Sequence, residues 1–220
     1  MAGSIYLKKS RDQSVRLFVK YLWFTFIVEV IALYALFVYY YNFDYEWFQW
    51  IKNSSFASNA WLFNIKSYID VIVLGWYFIS LIRTVNYRKF IKSLIVFYCI
   101  FATFYTFYVE NTSVLETINY LVEEIVILAC TVLYMFELFK SEKVLKFYNS
   151  IHFYTALGWF VWYLCVMPIF IFGEFFTQVN RLYHDFRILT ILSFNVLLYL
   201  WFTYGFYYVL RKQKQLAKNK

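Results

Sequence analysis

Six long apolar stretches alternate with short polar connections along this chain, at about 17–40, 58–82, 90–109, 117–139, 151–173 and 187–210. Each is close to the roughly 20 residues that carry a helix across a hydrocarbon core. The pattern predicts an all-α fold, a polytopic transmembrane helix bundle of six spans. No linker rich in Pro, Gly or Ser and no internal repeat divides it, so residues 1–220 are expected to form a single integral-membrane domain.

Within the fourth stretch the polar residues follow helical spacing. At about 100° per residue, Glu116, Asn119, Glu123, Cys130, Tyr134 and Glu137 fall within about 60° of one another, and Glu124 points roughly 100° away. Such a face is expected to look into the bundle, because lipid offers it no partner. Ser113 followed by Glu116 matches a capping box at the start of the same helix. Pro168, the only proline, lies inside the fifth stretch, where it should kink the helix and free the carbonyl of Leu164. Gly158 could admit a close neighbour. Between the first two stretches, residues 39–50 are mostly Tyr, Phe and Trp, which predicts a short interfacial element or an aromatic lid.

Charge adds orientation. The chain has 21 Lys and Arg against 13 Asp and Glu, a net +8, and 17 of the 21 cations sit in the N-terminal arm, the second and fourth connections and the tail. The other side has only Lys52, Lys66, Arg181 and Arg187. By the positive-inside rule both termini are expected in the cytoplasm of a multi-pass protein of the cell inner membrane. The cations do not gather on one arm or face, so nucleic acid is not an expected partner. The expected surroundings are the lipid bilayer, with a membrane or cytoplasmic protein partner and a homo-oligomer left open. Six spans use most of the 220 residues, leaving no room for a soluble catalytic domain of ordinary size.

Acids inside a membrane are rare, and Glu29, Asp70 and Glu123 are the default candidates for ligand or ion binding. Asn64, Asn119 and Asn195 are neutral polar companions that could line one outward-facing cavity with them. Structural alternatives stand beside each. Lys66 lies one turn before Asp70 and could form a private ion pair with it, and Glu29 could simply hydrogen-bond a neighbouring helix.

No catalytic set, cofactor or metal site is expected. The late spans lack the Lys of a retinal Schiff base, and His152 and His184 are expected near opposite surfaces, unsuited to paired haem ligation. The Glu123 and Glu124 pair resembles the double Glu of CAAX-type proteases, but the following Arg and the downstream His motifs are missing. Cys99, Cys130 and Cys165 have neither CxxC spacing nor a His partner and read as small core residues.

Three blocks, Tyr21-Leu22-Trp23-Phe24-Thr25-Phe26 with Glu29, Trp61-Leu62-Phe63-Asn64-Ile65 with Asp70, and Asn119-Tyr120-Leu121-Val122-Glu123, carry a resemblance. So do the Tyr134 to Lys140 stretch and Asn195-Val196-Leu197-Leu198-Tyr199-Leu200 with Gly205. With these the chain resembles an uncharacterised family of multi-pass inner-membrane proteins of Bacteroidota-type bacteria, with six to seven spans. The resemblance implies a membrane fold and brings no activity with it. Gly3 to Lys9 resembles the end of a further N-terminal helix in that family, which implies a seven-span relative lacking its first helix here. Asp70 stands where the family has Glu.

The leading expectation is a receptor-like or sensory module with an outward-opening polar interior. A proton- or cation-coupled transporter or channel subunit, with Glu123, Asp70 and Glu29 as its ion path, is the alternative. A structural or accessory subunit of a membrane complex is the third.

Overall fold

The computed structural model describes residues 2–8, 12–41, 43–108, 113–141, 147–177 and 181–218. Among these, every regular element is helical: α1 (Ala2–Leu7), α2 (Gln13–Ala32), α3 (Tyr34–Tyr40), α4 (Glu46–Lys52), α5 (Ala60–Leu81), α6 (Val85–Tyr108), α7 (Ser113–Lys140), α8 (Ile151–Thr177) and α9 (Arg181–Lys218). The all-α expectation holds. Four helical stretches, Ala60–Leu81, Val85–Thr106, Ile151–Phe172 and Phe186–Gln215, are long and apolar enough to cross a membrane by length and composition.

The first apolar stretch is divided between α2 and α3 at Leu33, whose N–H reaches the carbonyl of Val30 at 3.3 Å. This tightened turn separates the last two turns before the aromatic segment from α2, although Leu33 itself keeps a right-handed helical backbone. The start of α2 lies earlier than hydrophobicity alone implies. Asp12 caps it, accepting from the backbone N–H of Ser14 at 2.8 Å and of Val15 at 3.4 Å.

Three-residue or similarly short connections force neighbouring helices to run antiparallel, and the side-chain contacts show the register. Ser67 of α5 meets Tyr98 of α6, while Gly75 lies against Ile95. Ser14 meets Ser80 at 2.9 Å, so the start of α2 lies at the end of α5. Arg83 and Thr84 reach Glu137, which brings the end of α7 there too. His152 joins Asp12, and Lys212 lies 4.4 Å over the ring of Tyr148. One end of the bundle therefore collects the described basic residues Arg16, Lys20, Arg83, Arg88, Lys89, Lys92, Lys140, Arg211 and Lys212. The opposite, aromatic end carries α3 and α4.

Between these ends α5 is the central helix, packed against α2, α6 and α7, while α7 also packs on α6 and α8, and α8 on α9. Phe18, Val71, Leu74, Tyr77, Phe78, Ile91 and Phe206 fill the core, nearly all of their surface removed from water or lipid. Gly158 lets α9 come close as anticipated: a Cβ there would meet Phe202 at 2.7 Å and Trp201 at 2.9 Å. α8 runs through Pro168 without ending. α1 packs on α9 and α2.

At the aromatic end the expected interfacial element is α4, followed by a 3-10 turn at Ser55–Ala57. The rings of Phe37, Tyr41, Phe43, Tyr45 and Trp47 follow one another at centroid separations of 6.0, 5.6, 6.3 and 6.2 Å. Tyr34 ties the segment down: its hydroxyl lies 2.9 Å and 2.7 Å from the carbonyls of Phe56 and Ser58 and accepts from the Trp61 indole at 2.7 Å.

Glu137 closes the other end of α7 in a way that hydropathy alone does not reveal. Its Oε1 accepts the Arg83 N–H at 2.6 Å and its Oε2 the Thr84 N–H at 3.1 Å. A carboxylate from one helix thus caps the exposed amides ahead of another, where the helix dipole also favours a negative charge. Glu137→Ala is expected to lower stability by about 0.5–2 kcal/mol, the usual cost of losing a helix cap whose amides water can still reach. The check is thermal unfolding in detergent, where Glu137→Gln should recover part of the loss.

Candidate functional site

The helical periodicity of α7 is realised in the structure. Asn119, Glu123, Cys130 and Tyr134 are buried and Glu137 is half-buried, whereas the side chains of Ser113 and Glu116, and with them the capping box, lie outside the described residues. Glu124, expected off the stripe, is also buried, because α7 is covered by α8 as well as by α5 and α6.

Opposite that stripe α5 presents Ser67 and Asp70, three residues apart on one face, with Lys66 one turn before Asp70. Lys66 pairs with Asp70 one turn on, as the spacing allows. The pair is not private. The Lys66 ammonium also interacts electrostatically with Glu123 and, more weakly, with Glu29. Asp70 is only 3% exposed and Glu123 only 7%, so two carboxyl groups and one ammonium share a common interior.

Hydroxyl groups connect them to α6. Ser67 Oγ bonds Glu123 Oε2, the Tyr98 hydroxyl lies 2.7 Å from Ser67 Oγ, and it lies 3.3 Å from Oδ1 of Asn119. Ser67 and Tyr98 have one proton each, which fixes what this chain can do. With Glu123 ionised, Tyr98 donates to Ser67 and Ser67 to Glu123. With Glu123 protonated, Glu123 donates to Ser67, Ser67 to Tyr98, and Tyr98 to the Asn119 amide oxygen. All three contacts hold a proton only when Glu123 is protonated; with Glu123 ionised the Tyr98 to Asn119 contact needs the Asn119 amide to turn its NH2 group toward Tyr98.

Tyr21 of α2 lies beside Asp70 and interacts with it, and neither its hydroxyl nor Asp70 Oδ1 has a well-formed hydrogen bond to any other group. Glu124 Oε2 is likewise buried without one. Tyr163 of α8, also buried, interacts electrostatically with Glu123, Asp70 and Glu124. Unmet buried polar atoms are costly in low dielectric, and here they stand around the acids.

The other candidates fall in different places. Glu29 accepts from the Tyr199 hydroxyl of α9 at 2.8 Å, the neighbouring-helix contact left open by the sequence. Asn195 accepts from the Trp162 indole at 2.9 Å and so joins α8 to α9. Asn64 is half-buried on α5. The structure therefore brings together Asp70, Glu123 and Asn119, with Glu29 at the edge of the same charge cluster. Sequence reasoning missed Ser67, Tyr98, Tyr21 and Tyr163. The position of Ser67, on the same face as Asp70 and only three residues before it, was a signal.

No group of three or more His, Cys, Asp or Glu among the described residues is arranged to hold a metal ion. Cys130 is buried and Cys99 and Cys165 half-buried, all three with free thiols.

A second polar cluster lies at the basic end. His152 Nε2 is 3.0 Å from Asp12 Oδ2, and its Nδ1 is 2.9 Å from the Tyr77 hydroxyl, so the start of α8 is tied to the starts of α2 and to α5. His184, expected in a loop, falls in the first turn of α9. The hydrogen bond from His152, helped by the Ser14 and Val15 amides, holds the Asp12 carboxyl at about 2, below its ordinary 3.8, against the opposing effect of burial.

Because the folded value is the lower one, the carboxylate contributes stability above pH 3.8 that is lost as pH falls through about 2. The Asp12 side chain is 40% exposed, so screening limits the effect to about 1 kcal/mol or less. Thermal unfolding of the wild type and of Asp12→Asn, which retains an N-cap side chain, should differ above pH 3.8 and converge near pH 2.

Comparison with protein families, with curated proteins and with solved structures finds no match to this chain.

Proposed function

We propose that the protein is an integral membrane protein that binds and passes protons at the Lys66, Asp70 and Glu123 cluster, as a proton-coupled transporter or channel subunit. On this reading α2 with α3, and α5 to α9, make six spans of the inner membrane. The basic end, with both termini, faces the cytoplasm in accord with the positive-inside rule.

The observation that carries the reading is the reversible chain from Glu123 through Ser67 and Tyr98 to Asn119. A group that only glued helices together would need one pattern of donors; this one accommodates both the acid and its carboxylate. Lys66 favours protons over metal cations. Its ammonium already balances one of the two carboxyls, so at most one negative charge is left to hold a cation, and a hard cation would need several more oxygen ligands than these acids supply. Intramembrane acids facing the bundle interior are the usual stations of proton relays.

Infrared difference spectra of the protein in lipid, taken between two pH values, test this. A protonated-carboxyl band should change with pH, vanish in Glu123→Gln, and shift without vanishing in Ser67→Ala. A spectrum with no titrating carboxyl, or one that Glu123→Gln leaves intact, overturns the proposal. Adding sodium or potassium at fixed pH should leave the band unchanged.

A receptor-like or sensory role is supported by a different feature, the stacked aromatic segment around α4, where Tyr45, Trp47 and Trp50 are all exposed. That role requires a cytoplasmic partner that stays bound through detergent extraction, and an accessory-subunit role requires instability of the chain expressed alone.

A further inference from the structure

Between α8 and α9 lies a cavity of about 320 Å³, lined by Gly158, Val161, Trp162, Phe194, Leu197 and Trp201 among others. Its volume is at the lower end of the roughly 300–1,000 Å³ of small-molecule sites. It sits within the apolar parts of both helices, and none of its lining residues is charged. Val161 and Leu197 on its rim are 46% and 59% exposed, so it opens sideways, toward lipid in a membrane.

The chemistry of the lining defines the occupant. Two indoles bracket the cavity, and each commits its only donor elsewhere: Trp162 Nε1–H to Asn195 at 2.9 Å and Trp201 Nε1–H to the Tyr154 carbonyl at 2.8 Å. What remains facing the space is hydrocarbon and ring surface. A ligand with a polar group at this depth would find no partner and would lose its hydrogen bonds on entry. An added helix would need more than the gap between two helices held together by Gly158 against Trp201 and Phe202.

We propose that this cavity is a binding site for one acyl chain of a membrane phospholipid, entering laterally between Val161 and Leu197. It is independent of the proton site. Gly158 removes the side chain that would otherwise push the helices apart, the indoles line its wall, and the chain fills a void that would otherwise forfeit dispersion contacts.

The test uses the full chain in phospholipid vesicles containing a phospholipid with a photoreactive group in mid-acyl chain. Labelling should favour 157–162 and 194–201 over the outward side chains of α6 at Val96, Phe97 and Ile100, which are at least as exposed. The expected excess is about tenfold, equivalent to about 1.4 kcal/mol of preferential binding. Leu197→Trp should reduce it to the α6 level, and Leu197→Ala, which leaves the cavity open, should retain it. Uniform labelling, an excess unaffected by Leu197→Trp, or crosslinks from the cavity to a second copy of the chain would overturn the proposal.

Discussion

Lys66→Met is expected to cost the folded protein about 3–5 kcal/mol, the penalty typical of leaving a buried charge without its partner. The reason lies in the arrangement of α5 and α7. Asp70 and Glu123 are both buried, and Lys66 is the cation that interacts with the two of them. Methionine fills a similar volume, so packing changes little, but two carboxyl groups then share the interior with no compensating charge. Removing the opposite partner as well should reverse most of the loss, because replacing a whole buried pair is often neutral. Lys66→Met/Asp70→Asn is therefore expected to be more stable than Lys66→Met, with a coupling energy toward the upper part of about 0.5–3 kcal/mol. Thermal unfolding monitored by monodispersity in detergent measures all four corners of the cycle. If the double variant is no better than Lys66→Met, the ammonium acts through packing and not through charge.

Much of this arrangement was readable from residue spacing, and the parts that were not have definite causes. The stripe on α7 could be read because helical periodicity alone sets which side chains share a face, and Asn119, Glu123, Cys130 and Tyr134 all turn inward. The Lys66 and Asp70 pair could be read for the same reason, since both residues lie on one helix. Which helix supplies a third partner depends on tertiary register, and no single-chain pattern encodes it. Tyr98 looked like one aromatic among many in an apolar segment until α6 folded back and placed its hydroxyl 2.7 Å from Ser67.

Asn195 shows the converse. Its polarity suggested membership of a shared cavity, but a Trp from the adjacent helix satisfies it locally. Helix starts were hidden for another reason. Asp12 precedes Arg16 and Lys20, so hydropathy places the onset of α2 too late, although Asp is among the best N-cap residues.

Proton flux into proteoliposomes, driven by an imposed potential and measured for the wild type and Glu123→Gln side by side, tests the central claim most directly. Gln keeps the size of Glu123 and a hydrogen-bond partner for Ser67, but it cannot take up and release a proton. Relays that lose such a station commonly lose the 10²–10⁴-fold assistance that a positioned acid or base provides. The account predicts flux in the wild type and a fall of at least about 100-fold in Glu123→Gln, with the variant still monodisperse. Flux that persists in Glu123→Gln, or its absence from folded wild-type protein, would contradict the account and leave Glu123 as a residue that holds α5, α6 and α7 together.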